Sequence, residues 1–175
     1  MDEPAFWELI EKAGLNANDD YDAFTSYLET ELFKMSETEI LAFAEILHRK
    51  LSAANNRGLW GAACIINSDC SDGYSAENFE YFRGWLIARG KAVYETALFD
   101  PDALAEYINP GEESFEFESI LYVAHYVYEV KTGREIPLSA TDEPDQSDEE
   151  WEPGELASEY PRLTEKFNPL QFDSF

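Results

Sequence analysis

Ser36-Glu37-Thr38-Glu39, running on into Ile40-Leu41-Ala42-Phe43-Ala44-Glu45-Ile46-Leu47-His48-Arg49-Lys50-Leu51, is the stretch that decides the fold class. Ser at the N-cap with Glu three residues on makes a capping box. The Ser36 hydroxyl accepts from the Glu39 amide, and the Glu39 carboxylate reaches back to the Ser36 amide. Behind it Ile40, Phe43, Ala44, Leu47 and Leu51 recur at three- and four-residue steps, predicting a helix of about five turns with one apolar stripe. His48, Arg49 and Lys50 close that helix, where cations complement the negative end of its dipole. A stripe of this width has to be covered, so the flanking segments are read as its partners.

Upstream, residues 4–13 read as a short amphipathic helix carrying Phe6, Leu9, Ile10 and Ala13, widened by Trp7 and stopped by Gly14. Asp19 and Asp20 then supply an N-cap for a second helix, in which Phe24, Tyr27, Leu28, Leu32 and Met35 share a face. Downstream, Asn55-Asn56-Arg57-Gly58 is a turn, and residues 59–66 form an apolar run whose length suits either a buried helix or a strand. Gly61, Ala62 and Ala63 favour close helix packing, so a helix is expected. After a polar connection from Asn67 to Tyr74, a helix from about residue 76 carries Phe79, Phe82, Trp85, Leu86 and Arg89 at helical spacing. Gly90 breaks it before Val93, Tyr94, Ala97 and Leu98. Asp100-Pro101 reads as an N-cap followed by proline at the first helical position, and Asn109-Pro110-Gly111 ends that helix. Residues 115–132 form the last core helix, with Ile120, Tyr122, Val123, Tyr126, Val127 and Val130 apolar and Gly133 as its C-terminal stop. Their β-branched and aromatic content makes a strand the competing reading.

Composition narrows the function classes. The chain has 175 residues, 45% of them hydrophobic and 15% aromatic, enough for one packed domain. Its 37 acidic side chains against 12 basic ones leave a formal charge of −25, which excludes a conventional nucleic-acid binder and argues against an anionic membrane surface. No apolar run approaches the roughly 20 residues of a bilayer span, and the N-terminus lacks a signal-peptide profile, so a cytoplasmic protein is expected. Cys64 and Cys70 are spaced C-x5-C, neither a zinc pair nor a redox pair. Metal-binding His and Glu patterns, calcium loops and glycine-rich phosphate cradles are missing as well, so no cofactor is expected.

From Thr141 the composition shifts. Asp142, Glu143, Asp145, Asp148, Glu149 and Glu150 belong to an acidic run that continues to Glu159 without an intervening cation. Trp151, Leu163, Phe167, Leu170, Phe172 and Phe175 punctuate or follow it. Aromatics at that density are unfavourable in water, so the tail is expected to fold back. The division is a helical core over residues 1–138 and an acidic tail over 139–175 docked on it, giving an all-α single domain of about seven helices.

Several elements resemble an uncharacterised bacterial family, the domain of unknown function numbered 4240. They are Phe6-Trp7-Glu8-Leu9-Ile10, Leu41-x-Phe43, Leu59-Trp60-x-Ala62-Ala63-x-Ile65-Ile66-Asn67, Cys70-Ser71-Asp72 and Tyr122-Val123-Ala124. The most specific is Phe79-x-x-Phe82-Arg83-x-Trp85-Leu86-Ile87-x-x-Gly90, and Tyr160-Pro161-Arg162-Leu163-x-x-Lys166-Phe167 is similar too. The family pattern has glycines before the Cys and a second acid after the Asp, where this chain has Ser68-Asp69 and Gly73-Tyr74. The resemblance implies size and acidity but no activity.

The candidate site is the connection carrying Asp69, Cys70, Ser71 and Asp72, with Trp60, Arg83 and Trp85 near it in sequence. Two carboxylates, a thiol and a guanidinium between indole walls would suit a ligand or acid–base chemistry. The structural alternative is that Ser71 or Asp72 caps the next helix and that Arg83 pairs with an acid, a buried Arg83–Asp72 pair being the sharpest expectation. His125 lies among apolar neighbours with no nucleophile patterned beside it. The function expected is a non-catalytic acidic module binding a basic protein, such as an inhibitor or immunity protein for a nuclease toxin. The alternative is a small enzyme or ligand-sensing domain using Asp72, Arg83, Trp60 and Trp85.

Overall fold

The helix starts are written in short-range caps. Asp2 accepts from the Ala5 amide at 3.0 Å, Asp20 from the Asp22 and Ala23 amides, and Ser36 forms both halves of its box with Glu39. In the computed structural model, which describes residues 1–67, 74–109, 111–112, 114–137 and 154–167, these caps open α1 (Glu3–Ala17), α2 (Tyr21–Lys34) and α3 (Glu37–Ala54). There follow α4 (Arg57–Ile66), α5 (Ala76–Ala88), α6 (Lys91–Phe99), the 3₁₀ helix η1 (Pro101–Glu106) and α7 (Ser119–Thr132). The short helices α8 (Glu155–Glu159) and α9 (Pro161–Phe167) come last. All described elements are helical, so the all-α expectation holds and residues 59–66 are a helix, not a strand. Replacing Ser36 with Ala is expected to lower stability by about 1 kcal/mol, read as a shift in the denaturant midpoint at unchanged slope.

Several boundaries differ from the sequence reading. α1 runs through Gly14 and ends at Asn18, which takes the left-handed conformation at φ 48°. One helical glycine costs only about 1 kcal/mol, and α1 packs extensively on α2. His48, Arg49 and Lys50 sit a full turn before the end of α3, and Lys50 instead pairs with Glu3 of α1 at 2.6 Å. Asp100 caps nothing with its side chain, and the segment after it winds as a 3₁₀ helix. The last core helix starts at Ser119, because residues 115–118 run non-helically, with the Phe117 amide donating to the Tyr81 carbonyl.

α5 is the central helix and touches α1, α3, α4, α6 and α7. Accordingly Phe82, Arg83, Gly84, Trp85, Leu86 and Ile87 are buried one after another, which a helix tolerates only when it is covered on all sides. At Gly84 the segment before α7 comes so close that a Cβ would lie 2.6 Å from the Phe117 carbonyl oxygen. α7 packs mainly on α2 and α3, with a smaller contact to α5. Its Ile120, Leu121, Val123, Ala124, Val127 and Tyr128 are buried, whereas Tyr122, Tyr126 and Val130, read from sequence as core, stand in solvent.

Residues 154–167 lie on the core. Tyr160 and Leu163 are buried, the Tyr160 hydroxyl donates to the Gly58 carbonyl, and the Phe167 ring meets Phe115 edge-on. Asp102 of η1 caps α9 from across the fold: its carboxylate accepts from the Arg162 and Leu163 amides and from Arg162 Nε. Arg162 also pairs with Asp100 and Glu106, and its bonds to Asp102 first and Asp100 second hold its guanidinium firmly protonated. Lys166 closes the other end by donating to the Ala105 and Ile108 carbonyls.

Candidate functional site

Three of the five residues expected to form a site fall on described helices. Trp60 is on α4, and Arg83 and Trp85 are on α5. The indole of Trp60 is 3% exposed and Trp85 is fully buried, so both serve as core rather than as walls of an open pocket. Trp60 meets Tyr74 and Phe79 edge-on at 5.1 and 5.0 Å. Phe79 leads on through Phe82 to Trp85, and Trp85 to Phe115, making a continuous aromatic file through the molecule.

Arg83 branches from this file. Its guanidinium lies 5.1 Å from the Phe79 ring centre, and Nη1 donates to the Leu51 carbonyl at 2.9 Å. That bond ties the centre of α5 to the last turn of α3, with the cation–π contact adding to it in a desolvated setting. Asp69 and Asp72 lie outside the described residues, as do Cys70 and Ser71, and with them the expected Arg83–Asp72 pair. The cap assigned from sequence to Ser71 or Asp72 belongs to Ser75, whose box with Asn78 opens α5. Cys64 is buried in α4. The acidic residues Asp142, Glu143, Asp145, Asp148, Glu149 and Glu150 also lie outside the described residues, as does Trp151.

Trp85 has partners that its sequence neighbours did not suggest. Its Nε1 donates to Glu112 at 3.1 Å, while Arg89, one turn on, lies over the indole and pairs with the same carboxylate oxygen at 3.4 Å. The second Glu112 oxygen accepts from the Asn109 amide, and Arg89 Nη2 donates to the Tyr107 carbonyl at 2.7 Å. Tyr21 closes this cluster by stacking on Phe117, and burial, with Glu112 nearby, pushes its hydroxyl pKa up to about 12. These bonds fasten Tyr107, Asn109 and Glu112 to α5. His125 is half-buried on α7, and burial lowers its pKa.

The surface chemistry is one-sided. Among the described residues, which include all twelve Lys and Arg side chains, eight of the twelve contact a carboxylate. Arg83, Lys131 and Lys166 donate to backbone carbonyls, and Arg49 lies near Glu3. The cations are therefore engaged within the chain, and the described carboxylates outnumber them. Among the described residues no cluster of three or more His, Cys, Asp and Glu side chains is arranged to hold a metal ion, and no helix is long and apolar enough to cross a membrane.

These features define an acidic, all-helical protein in which the described members of the expected site, Trp60, Arg83 and Trp85, are part of the core. The chain belongs to the family described as "Protein of unknown function (DUF4240)", whose model matches residues 1–130. No curated protein matches the chain, and no solved structure matches it. The matched span takes in α1 through most of α7 and includes the aromatic file up to Phe115. The docked segment with α8 and α9 lies beyond it.

Proposed function

We propose that this protein is a non-catalytic binding module for a basic protein partner, of the kind that inhibits a nuclease or confers immunity to a toxin in a bacterial cytoplasm. The observation that carries this reading is the internal engagement of the cations. The chain carries a formal charge of −25, and an anionic excess of that size steers a cationic partner and speeds its encounter. An acidic surface of this kind also imitates the phosphates that a nuclease groove is built to bind.

The test is a capture from native lysate at low salt, followed by reconstitution of the retained protein with the purified chain. The expected result is a stoichiometric complex with a basic protein whose affinity falls at least about tenfold between 50 and 300 mM salt, since exposed charge pairs are screened over that range. A partner bound equally well at both salt concentrations, or no partner at all, overturns this reading.

A further inference from the structure

We propose that the outer face of α7 is the docking surface, and that its occupant is an amphipathic protein segment with Lys or Arg on one side and apolar side chains on the other. This rests on the partner-binding reading and places it on the molecule. Tyr122, Tyr126 and Val130 are 54, 51 and 58% exposed and follow one another at four-residue steps, so they form one ridge along the helix. Phe33 of α2, itself 37% exposed, extends the ridge sideways by meeting the Tyr126 ring edge-on at 6.4 Å. Scattered exposed apolar residues are ordinary, but four contiguous ones in so acidic a chain mark an interaction surface.

Charge selects the occupant. Glu118 immediately precedes α7, four residues before Tyr122, and Glu129 stands on the same exposed face beside Tyr126 and Val130. On the side of α7 that meets α5, Glu77 and Glu80 of α5 are near enough to Tyr122 to help burial raise its pKa, and Tyr81 donates to Glu77 at 2.8 Å. None of these four carboxylates is in an ion pair among the described residues. The nearby cations point elsewhere: Lys131 donates to the Phe33 and Met35 carbonyls at the end of α2, Lys34 pairs with Glu31, and Arg134 pairs with Glu37. The face thus has an apolar flank toward α2 and an anionic flank toward α5. An amphipathic basic helix lays its two sides onto such a surface as anchors at three- and four-residue spacing.

The probe is an 18-residue helix of Lys and Leu patterned to one apolar face, with a scrambled peptide of identical composition as control, titrated into the full chain at low salt. The patterned peptide is expected to bind at least about tenfold tighter than the scrambled one. The double variant Tyr122→Ser with Tyr126→Ser should abolish that preference, and Glu80→Gln with Glu118→Gln should weaken both peptides. Hydroxyl-radical footprinting of the unaltered chain, which needs no variant, should show Tyr122 and Tyr126 protected only when the patterned peptide is present. Equal binding of the two peptides overturns the face while leaving a basic partner standing, and binding of neither overturns both. Protection of the two tyrosines without peptide, or its appearance with rising protein concentration, means that the chain itself or a second copy covers the face and also overturns the proposal.

Discussion

Replacing Asp102 with Ala is expected to destabilise the protein by about 3 kcal/mol, the upper end of the range for leaving buried polar groups without their hydrogen-bond partner. The Asp102 carboxylate is 9% exposed and accepts three hydrogen bonds at 2.9–3.2 Å, two of them from backbone amides at the start of α9. Without it those amides lose their acceptor in a site too covered for water to serve them well. The Coulombic part of the loss is small, because Arg162 is 41% exposed and keeps Asp100 and Glu106. The cost therefore lies in the orphaned amides. Asp102→Asn, which retains an acceptor oxygen, should recover more than half of it. Denaturant titration gives the magnitude, and hydrogen exchange at the Leu163 and Thr164 amides shows where it falls. Unchanged protection there in the Ala variant would show that residues 160–167 are held by something other than this carboxylate.

The second large effect is expected at Gly84, where Ala should cost about 3 kcal/mol, at the upper end of ordinary overpacking penalties. The added Cβ would lie 2.6 Å from the Phe117 carbonyl oxygen and 2.9 Å from Ile120 Cγ2. A side chain could rotate aside, but the closest atom belongs to backbone pinned by the bond from the Phe117 amide to the Tyr81 carbonyl. Phe117 also packs against Tyr21 and Phe24, so the strain passes to α2. The comparison is Gly58→Ala, where the nearest atoms are side-chain atoms of Asn56 and Pro101 at the wider distances of 3.3 and 3.4 Å. If thermal unfolding shows the two substitutions to be equally costly, close approach at Gly84 is not what limits this core.

These two sites also mark the limit of what the sequence discloses. Caps are legible because donor and acceptor lie within three residues, and Ser36, Asp20 and Gly133 were all readable without coordinates. The cap on α9 was not, since Asp102 and Leu163 are 61 residues apart and nothing in either neighbourhood names the other. α7 was misread for a different reason. Tyr122, Tyr126 and Val130 are as apolar as the residues opposite them, so the helix offers two candidate stripes and only its packing on α2 and α3 decides between them. For the candidate site, the sequence placed Trp60, Arg83 and Trp85 on two adjoining helices but could not show that both indoles are core. Glu112 carried no signal at all: it is one acid among 37, and only its position against Trp85 and Arg89 sets it apart.

The cross-fold cap has a further consequence for the order in which the chain acquires structure. A seven-residue helix such as α9 has no stability of its own in water, since nucleation outweighs the few hydrogen bonds it completes. It gains its acceptor only after η1 has taken shape on α6, and the intervening loop must close before any of those contacts forms. Docking of this segment is therefore expected late, on the native side of the folding barrier. Weakening it should then shorten the lifetime of the native state and leave the speed of folding almost untouched.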